Sequence, residues 1–195
     1  PELLGPGLKA DFPEVIEFAR YRPVGRNLVS LGEKQLYETG IAFVDPAFLG
    51  IFSFPLLKGD PATALDGPTS LIITETVARK YFGREDPMGR TLRLFDNLDF
   101  KVTGVARDVP RNSHLQFSFL VNFDVALKQL GYSGGWWNNN FYTYVRLVPN
   151  ANLEKLTSPV YKYLTKIRPS TTTFINLQPL LDIRLRSNYA IDIGG

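Results

Sequence analysis

The segment "SLIITETVARKYFGREDPMGRTLRL" (residues 70–94) constrains the fold more than any other part of the chain. Leu71, Ile72 and Ile73 form an apolar run that reads as a buried strand, and Thr74 stands where a helix cap belongs. Val77, Ala78, Tyr81 and Phe82 then share one helical face. Arg79 and Lys80 suit the negative end of the helix dipole, and Gly83 suits a left-handed closing residue. "RTLRL" and "FKVTGVARDV" follow as two antiparallel strands joined through "FDNLD". A strand, a helix and a hairpin in close succession make this the clearest unit in the sequence.

The flanking sequence repeats this mixture. A short helix over residues 6–12 is ended by Pro13. "VIEFARYRPV", "NLVSLG" and "EKQLYETGIAFV" read as strands, with Gly32 making the turn of a hairpin. Asp45 is placed to cap a helix of one or two turns that has Pro46 at its first position and Phe48, Ile51 and Phe52 on one face. "GDPATALDGP" reads as a surface loop, "DVALKQLG" as a short helix and "FYTYVRLV" as a strand. "NLEKLTSPVYKYLTKI" reads as an amphipathic helix interrupted or started near Pro159, and "TFINLQPLLDIRLRS" as one or two strands. Helices and strands mix without strict alternation, so the class is α+β.

Composition closes off several chemistries. The net charge of +3 comes from 22 basic and 19 acidic side chains, too balanced for a nucleic-acid partner. "RYRPVGR" (20–26) and "RLR" (184–186) read as solvated strand faces. With no cysteine, thiol catalysis, disulfides and zinc–cysteine sites are excluded, a usage that fits bacterial extracytoplasmic domains. No apolar run approaches the roughly 20 residues of a membrane helix, and no signal peptide is visible. A start at Pro1 without an initiator Met reads as a fragment of something longer.

The turn "GREDPMGRT" resembles a phosphate loop only superficially. Gly83 and Gly89 are spaced differently from the G-x-x-x-x-G-K-[ST] pattern, Arg90 stands in place of lysine, and a strand follows where a helix is required. The helix ahead of it presents its C-terminal end, which repels anions. His114 is the sole histidine, and no G-x-S-x-G elbow makes Ser113 or Ser118 a nucleophile beside it, so it reads as a loop residue bonded to backbone. The adjacent acids of "GREDP" read as solvated turn residues. No catalytic, cofactor-binding or metal-binding residue is assigned. The most ligand-like cluster is "WWNNNFY" (136–142), with Trp136, Trp137, Asn139 and Tyr142 as a partner or ligand surface.

"VDPAFLGIFSFPLLKGDPATAL", "SLIITETVARKYFGREDPMGRTLRL" and "FKVTGVARDVPRNSHLQFSFLVNF" together resemble the MacB-like periplasmic core domain of FtsX-like ABC transporter permeases, above all its Bacteroidetes-type versions. The resemblance runs from about Phe12 to "LQPLLDIRLRS". It implies a non-catalytic domain in the periplasm of a bacterial inner-membrane protein, between the first and second of four membrane helices. A Porter-like α/β subdomain (1–44 and 124–195) would carry an inserted Sabre-like α/β subdomain (45–123). ATP would be bound by a separate or fused cytoplasmic ABC ATPase, with no cofactor in this domain. ATP-driven movement would then cross the membrane by mechanotransmission, driving efflux, lipoprotein release or activation of a wall hydrolase. The implied partners are a second permease copy, that ATPase, and a periplasmic adaptor, outer-membrane protein or lipoprotein. The isolated domain is expected to be a monomer. Arg184 of "DIRLRS" replaces a histidine common in the family, which implies no metal role there. The alternative is a periplasmic ligand-binding or sensor module of a membrane receptor, using the "WWNNNFY" surface.

Overall fold

In the computed structural model, which describes residues 1–128, 130–131, 135–137 and 139–185, the chain opens with α1 (Leu4–Asp11). This helix stops at an extended Phe12, the conformation that the following proline imposes. Strands β1 (Val15–Val24) and β2 (Asn27–Leu31) are separated by Gly25 and Arg26 alone, and β3 (Lys34–Glu38) and β4 (Ile41–Val44) return beside them. Val24 pairs with Ile41 and Asn27 with Glu38, so residues 15–44 form one long ribbon that turns at Gly32, where φ is +56°. "EKQLYETGIAFV", expected as one strand, is two, divided where Gly40 adopts φ +75° and its carbonyl accepts from the Ser118 and Phe119 amides.

The ribbon is followed by α2 (Phe48–Ile51), β5 (Leu56–Lys58), β6 (Ser70–Thr74), α3 (Glu75–Phe82), β7 (Thr91–Leu94), β8 (Leu98–Ala106), β9 (Phe119–Asn122) and α4 (Phe123–Lys128). Then come β10 (Tyr142–Leu147), α5 (Leu153–Tyr161), α6 (Tyr163–Ile167) and α7 (Asp182–Leu185). One mixed sheet runs β10-β1-β4-β9-β6-β8-β7-β2-β3, with β5 attached to β8. The β4/β9 and β6/β8 pairs are parallel and the others antiparallel. Because β1 leads into β2 over two residues yet lies far from it in the sheet, the intervening strands curl back to meet the ribbon. The closing contact is the single register pair Ser30↔Arg93. The expected α+β class is therefore found, as one large mixed sheet with few helices.

Inside the curl, Ile41, Phe43, Leu71, Ile73, Leu92, Leu94, Phe100, Val102, Phe119 and Val121 form the first core, covered by Val77, Tyr81 and Phe82 of α3. On the opposite face Ala42, Val44, Ile72 and Leu120 meet Phe48, Phe52, Leu65 and Phe117 in a second core. Strands β4, β6 and β9 are consequently buried at every position, which explains their unbroken apolar runs. A third cluster joins Leu4, Leu8 and Phe12 of the N-terminal segment to Leu156, Val160 and Tyr163 of α5 and α6.

Several local expectations change. Asp45 does not cap α2 with its side chain, because that carboxylate is taken by Arg20. Thr74 is the N-cap residue of α3 but makes no side-chain cap bond. The Asp108 carboxylate, arriving from beyond β8, accepts from the Thr76 amide at 3.0 Å instead. The loop "GDPATALDGP" is not wholly at the surface, since Ala64 and Leu65 plug the second core. Pro159 lies within α5, and the helix breaks later, at Lys162. "TFINLQPLLDIRLRS" is not a strand over its described part: Thr171–Pro179 carries no regular structure and α7 follows. Pro179 cannot donate to a ladder, and the Ile175 amide is spent on the Tyr161 carbonyl. Residues 186 and 187 lie outside the described residues.

Phe43 is fully buried and stacks on Phe95 at 5.1 Å. Phe43→Ala is therefore expected to cost about 3–5 kcal/mol in a urea denaturation series. A loss under about 1 kcal/mol would mean that the curled core is not packed as described.

Candidate functional site

The four residues expected to form one surface occupy two settings. Trp136 is half-buried, packs on Tyr163 with ring centroids 6.0 Å apart, and lies over Gly7, where a Cβ would come within 2.9 Å of its ring. Its carbonyl accepts from Arg168 Nη1 at 3.0 Å. Trp137 is 76% exposed, with the same guanidinium 4.1 Å from its ring centroid, and Asn139 is exposed. Tyr142 begins β10 opposite Tyr21, their rings 6.5 Å apart, and packs on the second core, while Val145 packs on the third. Strand β10 thus stands between the Trp136 environment and that of Tyr142. A cleft of about 270 Å³ opens beside Tyr142, lined by Ile51, Phe52, Thr143, Tyr144 and Leu177 among others.

The "GREDPMGRT" turn is stitched to itself and to its neighbours. Gly83 closes α3 at φ +64° with its amide on the Arg79 carbonyl, and Gly89 at φ +75° donates to the Val102 carbonyl. Arg90 pairs with Glu85 at 3.0 Å, and Asp86 takes Lys58 at 2.9 Å and the Met88 amide at 3.1 Å. Those bonds hold the Asp86 carboxyl below its ordinary range. The amides of Gly83, Glu85, Met88, Gly89 and Arg90 are thus committed within the protein, and β7 follows directly. At the foot of α3, Glu38 sits between Tyr81 Oη at 2.8 Å and Lys80 Nζ at 2.6 Å, and burial with this carboxylate pushes the Tyr81 phenol far up. His114 lies against the rings of Phe52 and Tyr144, at 6.1 and 5.8 Å. Among the described residues no group of three or more histidines and acids could hold a metal ion.

A buried, heavily bonded arginine lies in the stretch expected to be a solvated strand face. "RYRPVGR" is not a solvated face throughout, because Arg20 is only 7% exposed. Its Nε and Nη2 donate to Asp45 Oδ2 and Oδ1 at 2.9 and 2.5 Å, and its own amide donates to Oδ2 at 2.6 Å. Nη1 donates to the Glu2 carbonyl at 3.1 Å, and the guanidinium lies 4.0 Å from the Phe123 ring centroid. Glu2 in turn accepts the Gly135 amide at 3.1 Å. Next to Arg20, burial pushes the Tyr21 phenol up to about 12. The available signal was an acid directly after an all-apolar strand, a position that a helix cap and a buried ion pair both suit.

A family model described as the MacB-like periplasmic core domain matches residues 4–160. The fold resembles a domain of a permease protein from Porphyromonas gingivalis, with TM-score 0.68 and 27% identity, covering 84% of this chain and 68% of that one. It also resembles the periplasmic region of MacB from Actinobacillus actinomycetemcomitans, with TM-score 0.68, 14% identity and coverage of 89% and 77%. The extracellular domain of the noncanonic ABC-type transporter YknZ from Gram-positive bacteria is similar at TM-score 0.68 and 16% identity, with coverage of 91% and 88%. No curated protein sequence matches the chain.

Burial raises the Asp108 carboxyl, but the Thr76 bonds outweigh it and hold the native group below its ordinary range. Its contribution is therefore present above the titration range of an unfolded aspartate and fades as pH falls through the lowered native value. Asp108→Ala is expected to cost about 1 kcal/mol at neutral pH, as loss of a helix cap does. The gap from wild type should close in acid, measured by urea denaturation at a series of pH values. A gap independent of pH would contradict this role.

Proposed function

This chain belongs to the family of MacB-like periplasmic core domains of ABC transporter permeases, and from that premise we propose that it is a non-catalytic relay. It passes ATP-driven movement from across the membrane to a periplasmic substrate or partner. The ATP is bound and hydrolysed by a separate or fused cytoplasmic ATPase, and this domain holds no cofactor of its own. A second permease copy provides the opposing surface, and an adaptor, outer-membrane protein or lipoprotein receives the movement. Nucleic acid is not a partner.

The observation that carries this reading, beyond family membership, is the third cluster. The N-terminal residues Leu4, Leu8 and Phe12 and the late elements α5 and α6 pack on each other, with Ile175 and Leu177 leaning on the same group. Both approaches to the sheet are thereby held in one apolar pack, as a lever requires. The division into a Porter-like part (1–44 and 124–195) and an inserted Sabre-like part (45–123) belongs to this proposal. Val44 and Asn122 are partners in the parallel β4/β9 pair, so the entry and exit of the inserted part lie side by side. The sheet nevertheless runs through both parts, which favours small rotations over wholesale separation.

Limited proteolysis and crosslinking of the full-length permease with its ATPase test the reading. Protection of this domain should differ between nucleotide-free and ATP-bound states, and identical patterns would overturn it. The isolated chain should scatter light as a monomer of 22.0 kDa, whereas twice that mass at micromolar concentration would show that this domain dimerises by itself.

A further inference from the structure

Arg20 and Asp45 stand just beyond Tyr21↔Val44 at the end of the antiparallel β1/β4 ladder, and from there the guanidinium reaches both the N-terminal segment and the start of α4. Asp45 is the first residue after β4, and its carbonyl accepts the Phe48 amide that opens α2. Phe123, under the guanidinium, is the first residue after β9. These two positions follow the register partners Val44 and Asn122, so Arg20 bridges both points where the chain leaves the centre of the sheet. Through Nη1 it also holds the Glu2 carbonyl, ahead of α1, and the Glu2 carboxylate holds the Gly135 amide.

The chemistry of the joint is rigid by construction. A guanidinium presents its donors in a fixed planar fork, stays charged, and fixes the direction as well as the length of each bond. With Arg20 and Asp45 exposed by only 7% and 6%, these bonds work at low dielectric, where displacing one partner drags the other. A buried ion pair is nevertheless a poor way to gain stability, since apolar residues of similar volume hold a fold as well or better. What they cannot supply is the directional linkage of the N-terminal segment, α2 and α4.

We propose that the Arg20–Asp45 pair is a mechanical clasp, delivering displacement of the residues ahead of α1 to the start of α2 and the start of α4. This rests on the relay reading above and assigns it a joint.

The test uses the full-length permease with its ATPase, in wild-type form and as the Arg20→Met/Asp45→Leu and Arg20→Lys variants. Hydrogen exchange is followed in residues 1–11 and 45–58, with and without ATP. The double variant should keep the wild-type thermal midpoint or exceed it. Its nucleotide-dependent change should persist in residues 1–11 but fall about tenfold in residues 45–58, the scale of a typical coupling between sites. Arg20→Lys keeps the charge but loses the fork, and should lose most of the change in 45–58, a result that decides the matter even if the double variant does not fold. Full nucleotide response of residues 45–58 in Arg20→Lys, or in a folded double variant, would overturn the clasp while leaving the relay standing. No nucleotide response in the wild type would overturn the relay and the clasp with it.

Discussion

The short link between β1 and β2 shapes everything else. Gly25 and Arg26 are all that separate two strands lying six places apart in the sheet, β1 second and β2 eighth in its order. A flat sheet cannot satisfy that link, so the strands between them curl and enclose an apolar interior. The same curl leaves β4, β6 and β9 at the middle of the molecule with helices or loops on both faces. It also frees the outer side of β1 and β10 for α1, α5 and α6, which form the third cluster. Closure at the far side rests on Ser30 and Arg93. Arg93 is braced by Asp99 at 2.8 Å, which raises the guanidinium and lowers the carboxyl from their ordinary values.

Much of this was legible because it is local. The segment 70–94 announces its strand, helix, closing glycine and hairpin through residues within one or two turns of each other, and the structure places each element within a residue or so of the expectation. The order of three such motifs also sufficed to identify the family that the matching model supports. Distant partners were the illegible part. Asp45 carries every local mark of a helix cap, yet its carboxylate belongs to a cation 25 residues upstream. Thr74 looks equally like a cap, but Asp108 from the end of β8 performs that role. Leu65 lies in a turn-rich stretch and is nevertheless pinned in the second core, where its carbonyl accepts from the Asn122 side chain at 2.5 Å.

The aromatic cluster at 136–142 shows the same limit at the functional level. Adjacent tryptophans read as one surface, but in the turn they occupy Trp136 packs on Tyr163 while Trp137 faces solvent under the Arg168 guanidinium. The relay reading does not depend on them. It depends on an apolar pack that gathers the two approaches to the sheet, and the polar joint at Arg20 is a refinement that rests on it.

Movement of one copy against the other between nucleotide states is the central claim, and interspin distances measure it most directly. The chain has no cysteine, so single cysteines at the exposed positions Tyr37 and Leu57 give unique labels within this domain. Pulsed electron paramagnetic resonance on the full-length permease with its ATPase would give the distance between the labels of two copies. The account predicts a shift on the order of 5 Å upon ATP binding, the scale of a one-turn displacement at a bistable interface. Distance distributions that coincide with and without ATP would contradict it.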